Sequence, residues 1–460
     1  MEQLYVEQIL MATKGTLISG SKSERISNIS TNSKEVKESG LFIPIKGERF
    51  DGHDFIDDAI ENGAKAFLKE KSNGYDYRKN HNDKEIICIE VEDTLKAYQD
   101  IATHYRNYFY IPIIGITGSV GKTSTKEMIS DVLSKGFKVL KTSGNLNGQL
   151  GVPATILNLD DTDDIAVIEM GISKFHEMDR LSEIAKIDHA VITNVGVTHI
   201  ENLLTKDNIL SEKLKITNGF NKNNTLFANF DNESLREKSK ELNCDIVSFG
   251  IDSDCDYKAR NIKYENGMTT FDIDIYDMPQ TIEILSIGRY NIYNALAAIA
   301  IGCKFGLSVD NIKAGILSYK NPPMRQNIYV RDGINIIDDT YNSNPDSMKS
   351  SIDVLCEIAG DNRKIVVSAD MLELGEQSRD LHLEIGQYMN DKDIDVLITC
   401  GEESKYTCDG FDKEKYHFDN HEELNEKLKS VLRPNDFLLV KGSRGMHMED
   451  VVNYLINKEN

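Results

Sequence analysis

Between an apolar run, Ile111, Ile113, Ile114 and Ile116, and a stretch in which Met128, Ile129, Val132 and Leu133 recur at helical spacing lies Thr117-Gly118-Ser119-Val120-Gly121-Lys122-Thr123-Ser124. No other feature limits the fold as much. Strand, glycine-rich loop and helix in that order form a β-loop-α unit: the glycines let the backbone fold close to a ligand, and the opening helix aims amide N–H groups and the positive end of its dipole at an anion. Lys122 is placed to neutralise the β- and γ-phosphates of a nucleotide and the Thr123 hydroxyl to bind Mg²⁺. Ile116 stands where the strict G-x-x-x-x-G-K-[ST] pattern has its first glycine, leaving a compact G-x-x-G-K-T loop. A structural turn with a solvated lysine is the alternative, and the flanking strand and helix speak against it.

The rest of the 460 residues divides around this loop. Residues 1–107 carry short alternating segments and two turn clusters, Lys46 to His53 and Lys71 to Gly74, and read as a small α/β domain. Residues 108–320 continue the β-loop-α pattern with strands at Ile165 to Ile168 and Ala190 to Val195, which predicts a mostly parallel sheet covered by helices. Asn321-Pro322-Pro323 cannot continue a helix and marks a boundary. Residues 321–460 then show four strand-like runs (Ile334 to Asp338, Lys364 to Ser368, Asp395 to Cys400, Phe437 to Lys441), a doubly wound, Rossmann-like α/β pattern. The helix after the first run opens with Asn344 as N-cap and Pro345 at its first position. The fold class is therefore α/β in three domains.

Composition restricts the partners. With 53 Lys and Arg against 75 Asp and Glu, the net charge of −22 repels nucleic acid over most of the surface, so any phosphate site must be local. The longest apolar stretch, Ala295 to Cys303, falls far short of the ~20 residues that span a bilayer. The first 20 residues lack the basic and apolar pattern of a secretory signal. Seven scattered cysteines without a C-x-x-C predict neither a disulfide framework nor a zinc site. A cytoplasmic protein is expected.

Three further residues carry chemistry by type. Glu169 ends a predicted strand, where a carboxylate at the sheet edge can hold a metal or be merely solvated. His199 and Lys213 follow, and each, taken alone, reads equally as a packed or solvent-facing side chain.

Longer motifs then add a resemblance. Gly118 to Thr123, Gly144-Asn145-Leu146-Asn147 with Gly151-Val152-Pro153, Val167 to Gly171, Thr193 to His199 and Gly288 to Ala298 resemble, in order and spacing, the central domain of Mur ligases. Asp338 to Met348, Asp370-Met371-Leu372-Glu373-Leu374-Gly375 and Val440 to Gly445 are similar to the MurF branch, and Thr31 to Lys34 with Asp51 to Phe55 to the family's UDP-sugar domain. The resemblance implies an ATP-dependent amide ligase of peptidoglycan precursor synthesis. Such an enzyme joins UDP-N-acetylmuramoyl-tripeptide to D-Ala-D-Ala through an acyl phosphate, releasing ADP and phosphate. It implies a bacterial, cytoplasmic monomer.

Carried over by motif, Gly118 to Ser124 hold the phosphates, and Thr123 and Glu169 hold Mg²⁺. His199 helps hold a second ion, and Lys213 stands where the family lysine takes up CO₂ as a carbamate. Asn291 and Asn294 face adenine, and Arg325 and Asp339 contact the phosphates and ribose. Ser33, Lys34 and Asn145 belong to the UDP-substrate side, while Tyr341, Asn342 and Asn344 are dipeptide contacts, with a purely helix-capping Asn344 as the alternative. This chain departs from the family pattern at Lys34, Lys215, Tyr290, Asn327 and Ala369. Two other functions stay open: a sibling ligase with a different amino acid or depsipeptide acceptor, and a non-catalytic ATP-binding regulator. A GTPase switch is disfavoured because Asn221-Lys222-Asn223-Asn224 lacks the Asp of N-K-x-D.

Overall fold

The computed structural model describes residues 1–457 apart from 48–49, 80, 82–84 and 266. The chain forms two compact units, one of Met1–Gly115, Phe137–Gly171 and Glu177–Asp188, the other of Ile116–Gly136, Ile172–His176 and His189–Asn460.

In the first unit a five-stranded sheet runs in the order Thr16–Ser19, Ile87–Val91, Ala64–Glu70, Gly40–Phe42, Asn28–Ser30. Its first pair is antiparallel and the rest are parallel. Phe42, Ile56, Ala59, Phe67 and Cys88 form a core under one face. Of the turn cluster at Lys46 to His53, Lys46 bridges Asp51, and Glu48 and Arg49 lie outside the described residues. The helix Thr94–Arg106 starts where Asp93 accepts from the Lys96 amide at 2.7 Å, satisfying one of the donors every helix leaves open. The strands Val139–Lys141 and Ile165–Glu169 pair in parallel in the same unit.

The second unit opens with the phosphate loop and its helix, Lys122–Leu133. Parallel strands follow in the order His189–Ile192, Thr225–Asn229, Asp245–Gly250, Tyr257–Lys258. The long apolar stretch near residue 300 belongs to the helix Arg289–Lys304, buried on most sides and packed on Lys122–Leu133. Among the described residues no helix is long and apolar enough to cross a membrane.

Sequence reading missed an antiparallel sheet between these elements, formed by Arg260–Glu265, Met268–Ile275 and Met278–Ile284. The middle strand buries Thr269, Phe271, Ile273 and Ile275 and leaves the alternate residues more open. That is the period of two expected of a sheet covered on one face.

The C-terminal sheet has six strands, ordered Asn327–Arg331, Ile334–Asp338, Phe437–Lys441, Lys364–Ala369, Val396–Cys400, Glu414–Phe418. Only the first pairing is antiparallel. The four expected runs are the inner strands. The two extra strands lie at the edges, where one face stays wet and the apolar signal fades; Val330, for instance, is 70% exposed.

Asp370 directly follows the inner strand Lys364–Ala369 and is itself buried. It accepts from the amides of Glu403 at 3.1 Å and Ser404 at 2.7 Å, fixing the start of the helix Ser404–Asp409. Asp370→Ala strands two donors in a dry site, so the urea midpoint of the C-terminal transition should fall by an amount worth about 1–3 kcal/mol. Asp370→Asn, which keeps an acceptor, should lose less.

Candidate active site

The phosphate loop is shaped by two glycines. Gly118 has φ +154° and passes so near the next strand end that a Cβ there would sit 1.9 Å from Thr193 Oγ1; Gly121, at φ +85°, turns the chain into the helix. Asn194 holds the loop from outside, its Oδ1 accepting from the amides of Ser119 at 3.0 Å and Val120 at 2.8 Å. This corrects one detail of the sequence expectation, because these two amides are directed at Asn194 and not at a ligand. Lys122 folds back so that its Nζ donates to Gly118 O at 2.8 Å.

Residues distant in sequence converge on this loop. Arg325 Nη2 donates to Thr123 Oγ1 at 3.0 Å, and its guanidinium stacks 4.1 Å from the centre of the Tyr341 ring. Asn291 and Asn294 are almost fully buried. Thr125 Oγ1 donates to Asn294 Oδ1 at 2.7 Å, and Asn291 Nδ2 donates to Ser286 Oγ at 2.8 Å. Asn294 thus braces the helix behind the loop, while Asn291 ties its own helix to the segment just before it. Tyr290, a departure from the family pattern, accepts from Asn291 Nδ2 at 3.0 Å and donates to Gln326 Oε1, beside Arg325. Burial pushes the Tyr290 hydroxyl well above the usual phenol range, so it stays a donor at every working pH. Asn327, another departure, accepts from the Arg325 amide.

The C-terminal strand ends supply a second group. Asp339 is held by Lys441 Nζ and Ser351 Oγ, both at 2.5 Å from Oδ2, and Lys441 also donates to Asn342 O at 2.9 Å. Asn344 caps its helix as expected, accepting from the Ser347 amide at 2.9 Å. Its Nδ2 also reaches Thr198 Oγ1 at 2.9 Å, so both ends of the amide are in use.

His199 is the N-cap of the short helix Ile200–Leu203 and has φ +62°. Its Nδ1 lies against Glu373 Oε2, a contact that holds that carboxyl below the usual range. Lys213, in the last turn of the helix Lys206–Leu214, is 2% exposed. Burial, and then the like charge of Lys122, push its ammonium well below the ordinary lysine value. Lys215, a departure, does not disturb it: its Nζ pairs with Glu212 at 2.7 Å.

In the first unit, Glu169 is 1% exposed, with Oε1 accepting from Asn147 Nδ2 at 2.7 Å and its amide donating to Thr142 Oγ1 at 3.0 Å. Asn145 is exposed. Ser33 is buried, with its carbonyl accepting from Asn62, and Lys34 is solvent-facing. Sequence reasoning assigned no role to Asn194, Glu373, Lys441 or Asp346. All four stand inside or beside quoted motifs, but spacing does not say where a side chain points.

A glycine loop on a helix N-terminus, backed by a parallel sheet and met by an arginine from a second α/β layer, defines a nucleotide-binding protein of the phosphate-loop class. The comparisons narrow the class. The Mur ligase middle domain matches residues 116–302, the Mur ligase glutamate ligase domain residues 324–444, and the Mur ligase family catalytic domain residues 25–106. The UDP-N-acetylmuramoyl-tripeptide--D-alanyl-D-alanine ligase of Bacillus subtilis is 35% identical over 98% of each chain. Among solved structures, MurF from Acinetobacter baumannii superposes with a TM-score of 0.91 at 28% identity over all of both chains. MurF ligase from Thermotoga maritima in complex with ADP gives 0.83 at 30% identity over 93% of this chain and 96% of that one. The chain belongs to the Mur ligase family.

Gly118→Ala should abolish nucleotide binding while leaving the melting temperature within a few degrees, because a Cβ at this φ drives the loop off Thr193. Titration with a fluorescent ATP analogue checks it.

Proposed function

We propose that the chain joins the terminal carboxylate of UDP-N-acetylmuramoyl-tripeptide to the amino group of D-Ala-D-Ala at the expense of ATP. The observation that carries this reading is the convergence of the cations Lys122 and Arg325 on one phosphate loop, with the buried amine of Lys213 beside Lys122, in a chain similar end to end to ligases of that name. A carboxylate is a poor electrophile, since attack by an amine must expel an oxide. Transfer of the γ-phosphoryl group makes an acyl phosphate, whose phosphate leaves when the amine attacks; the products are an amide, ADP and phosphate. Carboxylate and triphosphate repel one another, so the first step needs dense, fixed positive charge.

The residues divide that work. Lys122 swings from Gly118 O to the phosphates, and Arg325, delivered on the Tyr341 ring, adds a planar fork suited to phosphate oxygens. Asp339, held by Lys441 and Ser351, presents a fixed acceptor to the ribose hydroxyls. Asn291 and Asn294 set the wall beside adenine. Tyr341, Asn342 and Asn344 border the dipeptide, and Ser33, Lys34 and Asn145 serve the UDP substrate. The domains divide in the same way: residues 1–107 for the UDP substrate, 108–320 for ATP, and 321–460 for the amino substrate and for covering the nucleotide against water.

Mg²⁺, two ions in this reading, supplies charge neutralisation at the phosphoryl oxygens. Among the described residues no three His, Cys, Asp or Glu converge as a metal cage; an ion that arrives on a nucleotide needs only one or two protein ligands beside phosphate and water. The Thr123 hydroxyl, the Glu169 carboxylate and the His199 imidazole are donors of the right kind. Lys213 fits when carbamylated. Its neutral amine adds CO₂ and releases a proton, giving an anion that attracts magnesium where an ammonium repels it. We assign the protein to the bacterial cytoplasm as a monomer. An acceptor other than D-Ala-D-Ala is the competing reading.

Two measurements test this. With ¹⁸O in the tripeptide carboxylate, one label should appear in the released phosphate; label only in the amide and none in phosphate rules out the acyl phosphate. Lys122→Ala should lower ligation at least 10³-fold with the fold intact, since it removes a charge aimed at the transferring group. For Lys213, ¹³C-bicarbonate should give a carbamate resonance that Lys213→Ala lacks. Because the amine is neutral to lower pH than in an ordinary lysine, that resonance should persist at neutral pH.

A further inference from the structure

Glu373 lies in the loop that follows the inner strand Lys364–Ala369, 174 residues from His199 in sequence, yet its carboxylate lies against His199 Nδ1. The backbones are joined as well, Glu201 N donating to Glu373 O at 3.3 Å, and Gly375 packs so closely on Glu201 that a Cβ would touch it at 3.3 Å. Both His199 and Glu373 have φ +62°, in the left-handed region that non-glycine residues rarely occupy. Such backbone persists only where its surroundings fix it, and here they do. Met371 N donates to His382 Nε2 at 3.0 Å, and Leu372 N to Ser443 Oγ at 2.8 Å. The loop is therefore a fixed mount, and what it mounts is a half-exposed carboxylate that the protein core does not require.

Imidazoles that bind metals generally give their other ring nitrogen to a carboxylate or carbonyl, which sets the tautomer and the ring direction. We propose that Glu373 is a positioning residue for the metal site: by engaging Nδ1 it reserves Nε2 of His199 for the ion, so that His199 becomes a competent ligand only when the loop 370–375 is docked beside it. This rests on the reading of His199 as a metal residue. Its consequence is that the C-terminal segment, besides carrying Arg325 to the phosphate loop, completes the metal site from outside the ligand set. The alternative is a half-exposed polar contact without a role.

The test uses the full chain with a non-hydrolysable ATP analogue and Mn²⁺ in place of Mg²⁺. Pulsed EPR reads the coupling of an imidazole nitrogen to the manganese, and titration reads its affinity. The unmodified protein should show a nitrogen coupling that is absent from His199→Ala. Glu373→Ala should lose most of that coupling and bind Mn²⁺ 10–100-fold more weakly, with an unchanged melting temperature. Glu373→Gln, whose side-chain oxygen still accepts from Nδ1–H, should retain both. Glu373→Gly removes the carboxylate while relaxing the left-handed backbone; it should reproduce the Ala result and serves in its place if the Ala variant is unstable. Wild-type coupling and affinity in Glu373→Ala or Glu373→Gly overturn the positioning role and leave His199 as a ligand. No nitrogen coupling in the unmodified protein overturns the metal reading of His199 and this inference together.

Discussion

Seven consecutive residues, Thr193 to His199, bind the phosphate loop to everything around it. Thr193 donates to Val120 O at 2.6 Å, and Asn194 accepts from two loop amides. Val195 O is held by Asn232, and Gly196 N donates to Ser119 Oγ at 2.9 Å. Val197 N reaches Asp346, Thr198 accepts from Asn344, and His199 pairs with Glu373. A glycine loop has no rigidity of its own, since glycine gives up more conformational freedom on ordering than any other residue. Its shape is imposed by the neighbouring strand end. That position, beyond the carboxyl end of a parallel strand, is where open α/β sheets keep their ligands.

Local charge at the loop explains how a strongly acidic chain holds a site for anions. Net charge acts over about a Debye length and is screened, whereas Lys122 and Arg325 stand at the loop itself and act at contact range. Burying Lys213 beside Lys122 disfavours its charged form by desolvation and by like-charge repulsion together. A buried amine of this kind has little use as a structural element, because a well-packed apolar side chain would hold the helix with less strain.

Much of this was legible beforehand. The loop, the strands on either side of it and the Asn344 cap follow from local pattern, where glycine spacing and cap chemistry leave few alternatives. The antiparallel sheet around Met268–Ile275 was hidden because its alternation is built on Thr, Asp and Ile, which a search for continuous buried strands passes over. The edge strand Glu414–Phe418 was hidden because its charged residues face water. At the site, residue types were readable and directions were not. Asn291 and Asn294 look alike in sequence, yet Asn294 Oδ1 is engaged by Thr125 of the helix Lys122–Leu133 and Asn291 Nδ2 by Ser286. Glu373 is an ordinary glutamate until the fold brings His199 to it.

The contact between Arg325 and Thr123 bears on how the nucleotide enters. On the proposed reading of Thr123 as a magnesium ligand, a guanidinium and a divalent cation at one hydroxyl oxygen would repel each other, so Arg325 would leave Thr123 when the ion binds. The Tyr341 ring supports the guanidinium plane from one side, 4.1 Å from the ring centre. Each such contact across the loop is worth little alone, about 0.5–1.5 kcal/mol for a typical hydrogen bond. Arg325, Asp346, Asn344 and Glu373 nevertheless all reach the loop and its neighbouring strand end from one C-terminal layer, so exchanging the partner of the first need not release the other three. The site can accept its ligand by a side-chain exchange at one point while the remaining contacts keep the layer in place.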